Sequence, residues 1–317
     1  MKVLVTGYSG NLGRPTARAL AARGHQVRGL LHSRAIDKRD RDAGVDIVWG
    51  DLRDPDRFDD YVDGCDVVVH CAWNFNRNPV EQYHELNIEN AVRLLETAAK
   101  SGAHTFVEVS SVAVYGLDTP SDRVVDEAFP FVDPERALDS YPSAKAELEG
   151  LLAQRADELG MRLVIVRPGL LYSDRNAPVK RVVAGLGLIV GRGRNQLPFV
   201  HTDDVADFIA TVVDAADAQG AYNVVGTTDR TAAAFAQAWQ REHESPLRIV
   251  RVPVPLFKLL VLAPWLVKTV LRKQATRPDP TYPTATGTRN CRYSAERALA
   301  LGWIDRHTRR TASGGSR

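Results

Sequence analysis

The first strand and the loop behind it constrain this chain most. Lys2 to Val5 is an apolar run that begins at the second residue. Thr6 leads from it into Gly7, Gly10 and Gly13, and a helical pattern follows on Ala17, Leu20 and Ala21. A G-x-x-G-x-x-G spacing is informative only between a strand and a helix, which is its setting here. Gly7 suits a tight turn, Gly10 leaves room for a pyrophosphate against the backbone, and Gly13 lets the helix sit close to the strand. The helix N-terminus adds unpaired N–H groups and partial positive charge. Ser9, Asn11 and Leu12 complete the loop, so residues 7–13 are expected to cradle a dinucleotide. A purely structural βα turn is the alternative.

Strand and helix patterns then alternate. Strands are expected over residues 26–31, 46–50, 66–70, 105–110 and 162–167, with long helices over about 80–101 and 139–159. Strands joined by helices of that length predict an α/β fold built on a doubly wound parallel sheet. After Pro168 the rhythm breaks down. Residues 1–170 are therefore read as the dinucleotide-binding domain and 171–317 as a smaller substrate lobe. The segment 199–225 is expected to return to the main sheet. The tail from about Thr308, rich in Arg, Ser and Gly, is expected to be disordered.

Charge and cysteine usage exclude several classes. A net charge of +2, from 41 basic and 39 acidic residues, argues against a general nucleic-acid binder. Cys65, Cys71 and Cys291 are odd in number and form no C-x-x-C pair, which points to a reduced, cytoplasmic protein without a disulfide framework. With a core strand at the N-terminus, no signal peptide is expected. The most apolar stretch, Val254 to Leu271, is interrupted by Lys258, Pro264 and Lys268. An ordinary packed helix is the expected reading there. A wall for a lipophilic pocket and a contact with a membrane surface, with the lysines snorkelling, are the alternatives. No metal site is expected. His70 and Cys71 are adjacent on a strand and face opposite ways, and His201, Asp203 and Asp204 read as ties between the returning segment and the sheet.

Tyr141 and Lys145 stand at i and i+4, stacked on one helix face. A phenol titrates near ~10, and a neighbouring ammonium favours its ionised form. The pair suits a general acid/base for alcohol–ketone interconversion. Alone, such a pair is common on surface helices. Ser111, after the fifth strand, falls where strand ends line the crevice of a doubly wound sheet, and it could orient a substrate oxygen or simply cap a turn. Trp73 and Phe75, after the fourth strand, are as consistent with core as with substrate contact.

With these residues in place the chain resembles the extended short-chain dehydrogenase/reductase family, also called the NAD-dependent epimerase/dehydratase family. The resemblance spans residues 1 to about 305. It rests on the glycine loop, Gly50-Asp51-Leu52, Val69 to Ala72, Asn87, Ser110 to Gly116, Tyr141 with Lys145, Arg167 to Tyr172, Phe199 to Ala206, and Leu301 to Trp303. It implies Tyr141 as proton donor and acceptor, with Lys145 holding the nicotinamide ribose and tuning Tyr141. Ser111 would position the reacting oxygen. Asp51 and Leu52 would lie at the adenine, Ala72 along the cofactor and Pro168 near the nicotinamide, and Asn87 would support the neighbouring helix. It also implies a homodimer paired through the two long helices, and a small-molecule substrate.

Departures from the family pattern narrow the reading. NAD-preferring relatives carry an acid where this chain has Leu31, and Ser33 and Arg34 follow, with Arg14 nearby; these would hold a 2′-phosphate. NADP(H) is therefore expected over NAD(H), which remains the alternative. Val112 and Ala113 replace the Asp-Glu of sugar-nucleotide dehydratases. Leu197-Pro198 replaces the Arg-Asp that clamps a sugar nucleotide's diphosphate, with Arg192 and Arg194 as the nearest substitutes. The expected function is an NAD(P)-dependent oxidoreductase interconverting a ketone and a secondary alcohol. A nucleotide-sugar 4-epimerase with tightly held NAD is the alternative, and a non-catalytic cofactor-binding protein the third reading.

Overall fold

The computed structural model describes residues 1–32, 44–76, 80–116, 123–134, 140–179, 181–228, 230–271 and 280–313. Six strands open the chain: β1 (Lys2–Thr6), β2 (Gln26–Leu31), β3 (Asp46–Trp49), β4 (Val67–His70), β5 (Thr105–Val109) and β6 (Arg162–Pro168). Four short strands follow: β7 (Leu170–Tyr172), β8 (Arg181–Val183), β9 (Leu186–Val190) and β10 (Phe199–His201). β11 (Gly220–Val224) then pairs in parallel with β6 and completes a seven-stranded sheet of order β3-β2-β1-β4-β5-β6-β11. Every pair in it is parallel. The order reverses direction between β1 and β4, and that reversal opens a crevice beyond the strands' C-terminal ends.

Alternation along the strands sorts the core into two layers. Val3, Val5, Val67, Val69 and Val107 face one cluster, which α1 (Gly13–Ala22) and α6 (Thr202–Asp214) cover. Leu4, Val68 and Phe106 face the other. That side is closed by α2 (Phe58–Val62), α4 (Asn90–Lys100) and α5 (Ser140–Glu158). The helix expected over about 80–101 is built in pieces: α3 (Val80–His84), a wider π turn over Glu85–Glu89, then α4. Asn87 sits in that π turn. Its Oδ1 accepts from the Asn74 N–H at 2.7 Å and its Nδ2 donates to the Asn74 and Tyr83 carbonyls. The side chain thus clamps the loop after β4.

Past residue 170 the cores are smaller. β7 pairs with β10, and β8, β9 and β12 (Arg248–Val252) form a second sheet. α7 (Ala232–Glu242), α8 (Val254–Val270), α9 (Thr281–Thr288), α10 (Glu296–Ala300) and α11 (His307–Ser313) complete the chain. The expectation of disorder from Thr308 is corrected for residues 308–313, which α11 includes. Thr308 and Thr311 are buried. Thr311 Oγ1 donates to Glu242 at 2.7 Å, and the Tyr172 hydroxyl donates to Thr308 at 3.4 Å. Burial there rests on hydrogen-bonded hydroxyls rather than apolar residues, so a reading from composition misses it. Residues 314–317 lie outside the described part.

Candidate active site

One crevice of about 680 Å³ runs across the strand ends. Gly7, Ser9, Gly10, Asn11, Leu12 and Gly13 form its wall after β1. Gly7 has φ +62°, and a Cβ there would lie 2.7 Å from the Ala72 nitrogen. A Cβ on Gly13 would lie 2.3 Å from the Gly7 carbonyl oxygen, so only glycine lets α1 start this close to the strand. Such a loop, with backbone N–H groups at a helix start, fits a dinucleotide pyrophosphate. Asp51 and Leu52 line the crevice after β3, Ala72 after β4, Ser111 after β5 and Pro168 at the end of β6. Tyr141 and Lys145, from the first turns of α5, line it too. Ser33 and Arg34 lie outside the described residues. Arg14 is not on the crevice; its guanidinium lies 5.8 Å from the Tyr8 ring centre. Arg192 and Arg194 are exposed and also lie off the crevice.

At the far end the side chains interlock. The Tyr141 ring stacks on Phe75 at 5.8 Å and meets the edge of Trp73 at 5.5 Å. Trp73 and Phe75 therefore both stand on the crevice, Phe75 exposed and Trp73 packed at the same time against the core on the α5 side. The Lys145 ammonium lies 3.9 Å from the Trp73 ring centre. It donates to Glu108 Oε1 at 2.8 Å and to the Val109 carbonyl at 2.7 Å. Ser111 Oγ accepts from the Ala113 N–H at 3.1 Å, which caps a 3₁₀ turn over Val112–Tyr115. The hydroxyl's own proton is left to donate, so capping does not disqualify Ser111 from orienting a substrate oxygen.

Under Lys145 lies a polar row that the sequence reading did not single out. Thr6, His70 and Glu108 are register partners on β1, β4 and β5. All three are buried on the α5 side of the sheet. Thr6 Oγ1 and His70 Nδ1 are 2.9 Å apart. Burial pushes the Glu108 carboxyl up to about 7; Lys145 opposes that shift and Glu149 adds to it. Burial also pushes His70 down to about 3, with the Lys145 charge acting in the same direction. The signal was a lone Glu in an otherwise apolar strand run, because a buried carboxylate requires a partner.

At the opposite end, two further side chains escaped the sequence reading. His32, just after β2, and Arg53 both line the crevice and converge on Asp51. His32 Nε2 lies 2.8 Å from Asp51 Oδ2, and Arg53 Nε donates to the same oxygen at 2.8 Å. Partial burial works to raise the Asp51 carboxyl, but the Arg53 hydrogen bonds and the nearby positive charges hold it below its usual range.

Beyond the crevice lies a smaller cavity of about 130 Å³ that shares Leu171 with it. Leu170, Val179, Ile189, Leu197 and Phe199 are among its walls, and no charged side chain among the described residues lines it. His201, Asp203 and His307 offer three ligand atoms within 4.8 Å of one another. Both nitrogens of His201 already have protein partners. Nδ1 accepts from the Asp203 N–H at 3.2 Å, so the proton sits on Nε2, 3.3 Å from Asp174 Oδ1. His307 stacks on that ring at 4.1 Å and bonds Asp204 at 2.7 Å. The cluster thereby ties α11 and β10 together.

A glycine cradle at the switch point of a doubly wound sheet, with a phenol–ammonium pair at its far end, defines a dinucleotide-binding α/β protein. The model of the NAD dependent epimerase/dehydratase family matches residues 3–225, and the chain belongs to that family. It is 31% identical over 322 residues to the 3-diazoavenalumate denitrifying reductase of a Streptomyces species, covering 97% of each chain. It is 32% identical over 173 residues to the 4-hydroxy-2-methyl-3-oxo-4-farnesyl-3,4-dihydroquinoline-1-oxide ketoreductase of Stigmatella aurantiaca; that match spans 54% of this chain and about half, 51%, of the relative. Its fold is that of the UDP-glucose 4-epimerase of Thermus thermophilus, solved in complex with NAD: TM-score 0.71, 22% identity, 96% of this chain and 94% of that one.

Proposed function

We propose that the protein is an NADP(H)-dependent oxidoreductase that interconverts a ketone and a secondary alcohol on a lipophilic small molecule. The observation that carries this reading is adjacency. The glycine loop and the Ser111–Tyr141–Lys145 group line one crevice, and the apolar cavity next to it shares Leu171 with that crevice. Residues 7–13 would hold the pyrophosphate, Asp51 and Leu52 the adenine end, and Ala72, Lys145 and Pro168 the nicotinamide end. The bound nicotinamide supplies or accepts the hydride. Tyr141 would give its proton to the substrate oxygen during reduction, and Ser111 would orient that oxygen. The ketoreductase relative, whose named substrate carries a farnesyl group, supports a lipophilic ketone.

Support for NADP(H) comes from the crevice's other end. Leu31 is apolar and buried, and Arg53 brings positive charge beside Asp51, with the His32 imidazole next to both. Ser33 and Arg34 belong to the same proposal on sequence grounds. Comparing kcat/KM with NADPH and NADH tests it, and a higher value with NADH overturns it. The three thiols are free, which suits a cytoplasmic protein. The homodimer expected through α4 and α5 belongs to this reading and is checked by sedimentation.

Tyr141→Phe keeps the ring contacts and removes only the proton donor. It should lower kcat/KM for a ketone about 10²- to 10⁴-fold while cofactor affinity holds. Unchanged turnover would remove Tyr141 from the mechanism. The likeness to a 4-epimerase fold favours a second reading, an epimerase with resident NAD. Cofactor retained through purification, with sugar nucleotides turned over and no net change in cofactor, would favour it instead.

A further inference from the structure

α8 is the least covered long helix among the described residues. Of its apolar side chains only Phe257 is buried; with Val254 and Val261 it packs on Leu188, Val190 and Val252. Leu256, Leu259, Leu260, Leu266, Val267 and Val270 are exposed, Leu259 by 55% and Val270 by 80%. At 3.6 residues per turn these six fall within an arc of roughly 120°. They form one apolar stripe, turned away from the face that packs on the protein. An exposed stripe of this kind marks an interaction site.

Charge says what the site meets. Between Glu244 and Asp279 the sequence holds seven Lys or Arg and no Asp or Glu, in a chain whose net charge is only +2. Four of the seven, Arg248, Arg251, Lys258 and Lys268, are exposed on β12 and α8. Apolar stripe and basic surround together match an anionic bilayer surface. A second copy of the chain would bring basic against basic, because a twofold interface pairs each patch with itself. No described helix is long and apolar enough to cross a membrane.

We propose that α8 docks the protein on anionic lipid membranes, lying in the interface with its apolar stripe inserted and the positive charge of Arg248, Arg251, Lys258 and Lys268 drawing it to the anionic headgroups. Its inner face packs on Val190, which also lines the uncharged cavity next to the crevice. The docking stands on α8 and its charges alone, whatever the crevice turns over.

The test is vesicle flotation of the full chain. Vesicles of phosphatidylcholine with about 30% phosphatidylserine should bind at least tenfold more protein than phosphatidylcholine alone, and raised salt should weaken that binding. Leu259→Asp combined with Val267→Asp should cut binding at least tenfold and leave NADPH affinity and thermal unfolding unchanged. No binding to the anionic vesicles overturns the proposal, as does undiminished binding by the double variant. A lipid-free dimer that the same substitutions dissociate also overturns it and assigns the stripe to a second copy.

Discussion

Two buried ion pairs share one helix, and they are built differently. Lys145 and Glu149 stand one turn apart on α5; Lys145 pairs with Glu108 on β5, and Glu149 pairs with Arg167 on β6. The Arg167 pair is saturated. Its Nη2 meets Glu149 Oε2 at 2.6 Å and its Nε reaches both carboxylate oxygens at 3.1 Å. Nη1 donates to the Tyr115 hydroxyl, which in turn donates to Asn223 on β11. The Lys145 pair is not saturated. Glu108 Oε2 has no partner among the described residues, and Lys145 opens onto the crevice. A closed network fixes geometry; an open one leaves protonation free to respond to what binds above it. The difference separates a clamp from a tunable site.

The largest expected effect is on the clamp. Arg167→Met leaves Glu149 buried and unpaired, which should cost about 3–5 kcal/mol of unfolding free energy in urea titration. The shape of the kcat/KM pH profile should stay as it was. A loss below about 1 kcal/mol, or a displaced profile, would erase the distinction between the two pairs.

The open pair should respond in the opposite way. Glu108 opposes the Lys145 charge, and in the proposed mechanism that charge tunes Tyr141. Glu108→Gln keeps a hydrogen-bond acceptor and removes the counter-charge. The phenol's pKa should then fall, and reduction, which needs the phenol protonated, should lose rate at lower pH. The alkaline limb of kcat/KM should move down by about 1–2 pH units. Should the limb stay in place, Glu108 acts as a structural partner only. Arg53→Ser is a smaller change, at the other end of the crevice. Losing one contact to a 2′-phosphate should lower the NADPH-over-NADH ratio in kcat/KM about tenfold, roughly the 1.4 kcal/mol of one charge-assisted hydrogen bond.

The same contrast governs what the sequence disclosed. The parallel sheet and the glycine loop were legible because strand runs and glycine spacing are local patterns with few backbone solutions. Tyr141 and Lys145 were legible because i, i+4 fixes their relation within one helix. The row of Thr6, His70 and Glu108 was not, since its members lie on three strands and meet only through register. His32 and Arg53 were hidden for the same reason, since they meet Asp51 only across the ends of β2 and β3. α11 was hidden because threonine burial depends on partners as remote as Glu242 and Tyr172. Whether Val254 to Leu271 packs or meets a surface stayed open in the sequence, because periodicity marks an apolar face without saying what covers it.

The smallest expected effect tests whether the polar row acts as a unit. His70 titrates near 3 rather than its ordinary 6.5, so in the window between those values the unfolded chain binds the extra proton and stability rises with pH. Glu108 is shifted the other way, from 4.5 to about 7. In that window the folded chain binds the extra proton, and stability falls as pH rises. Between pH 4.5 and 6.5 the two slopes oppose each other and flatten the profile. His70→Asn can keep a bond to Thr6 and deletes only the rising slope. Its Tm should therefore increase relative to wild type as pH drops from about 6.5 to about 5, because every other titrating group, Glu108 included, cancels in the difference. Parallel Tm curves for the two proteins would mean that His70 is not held neutral by its burial beside Lys145, and the open network would shrink to the Glu108–Lys145 pair.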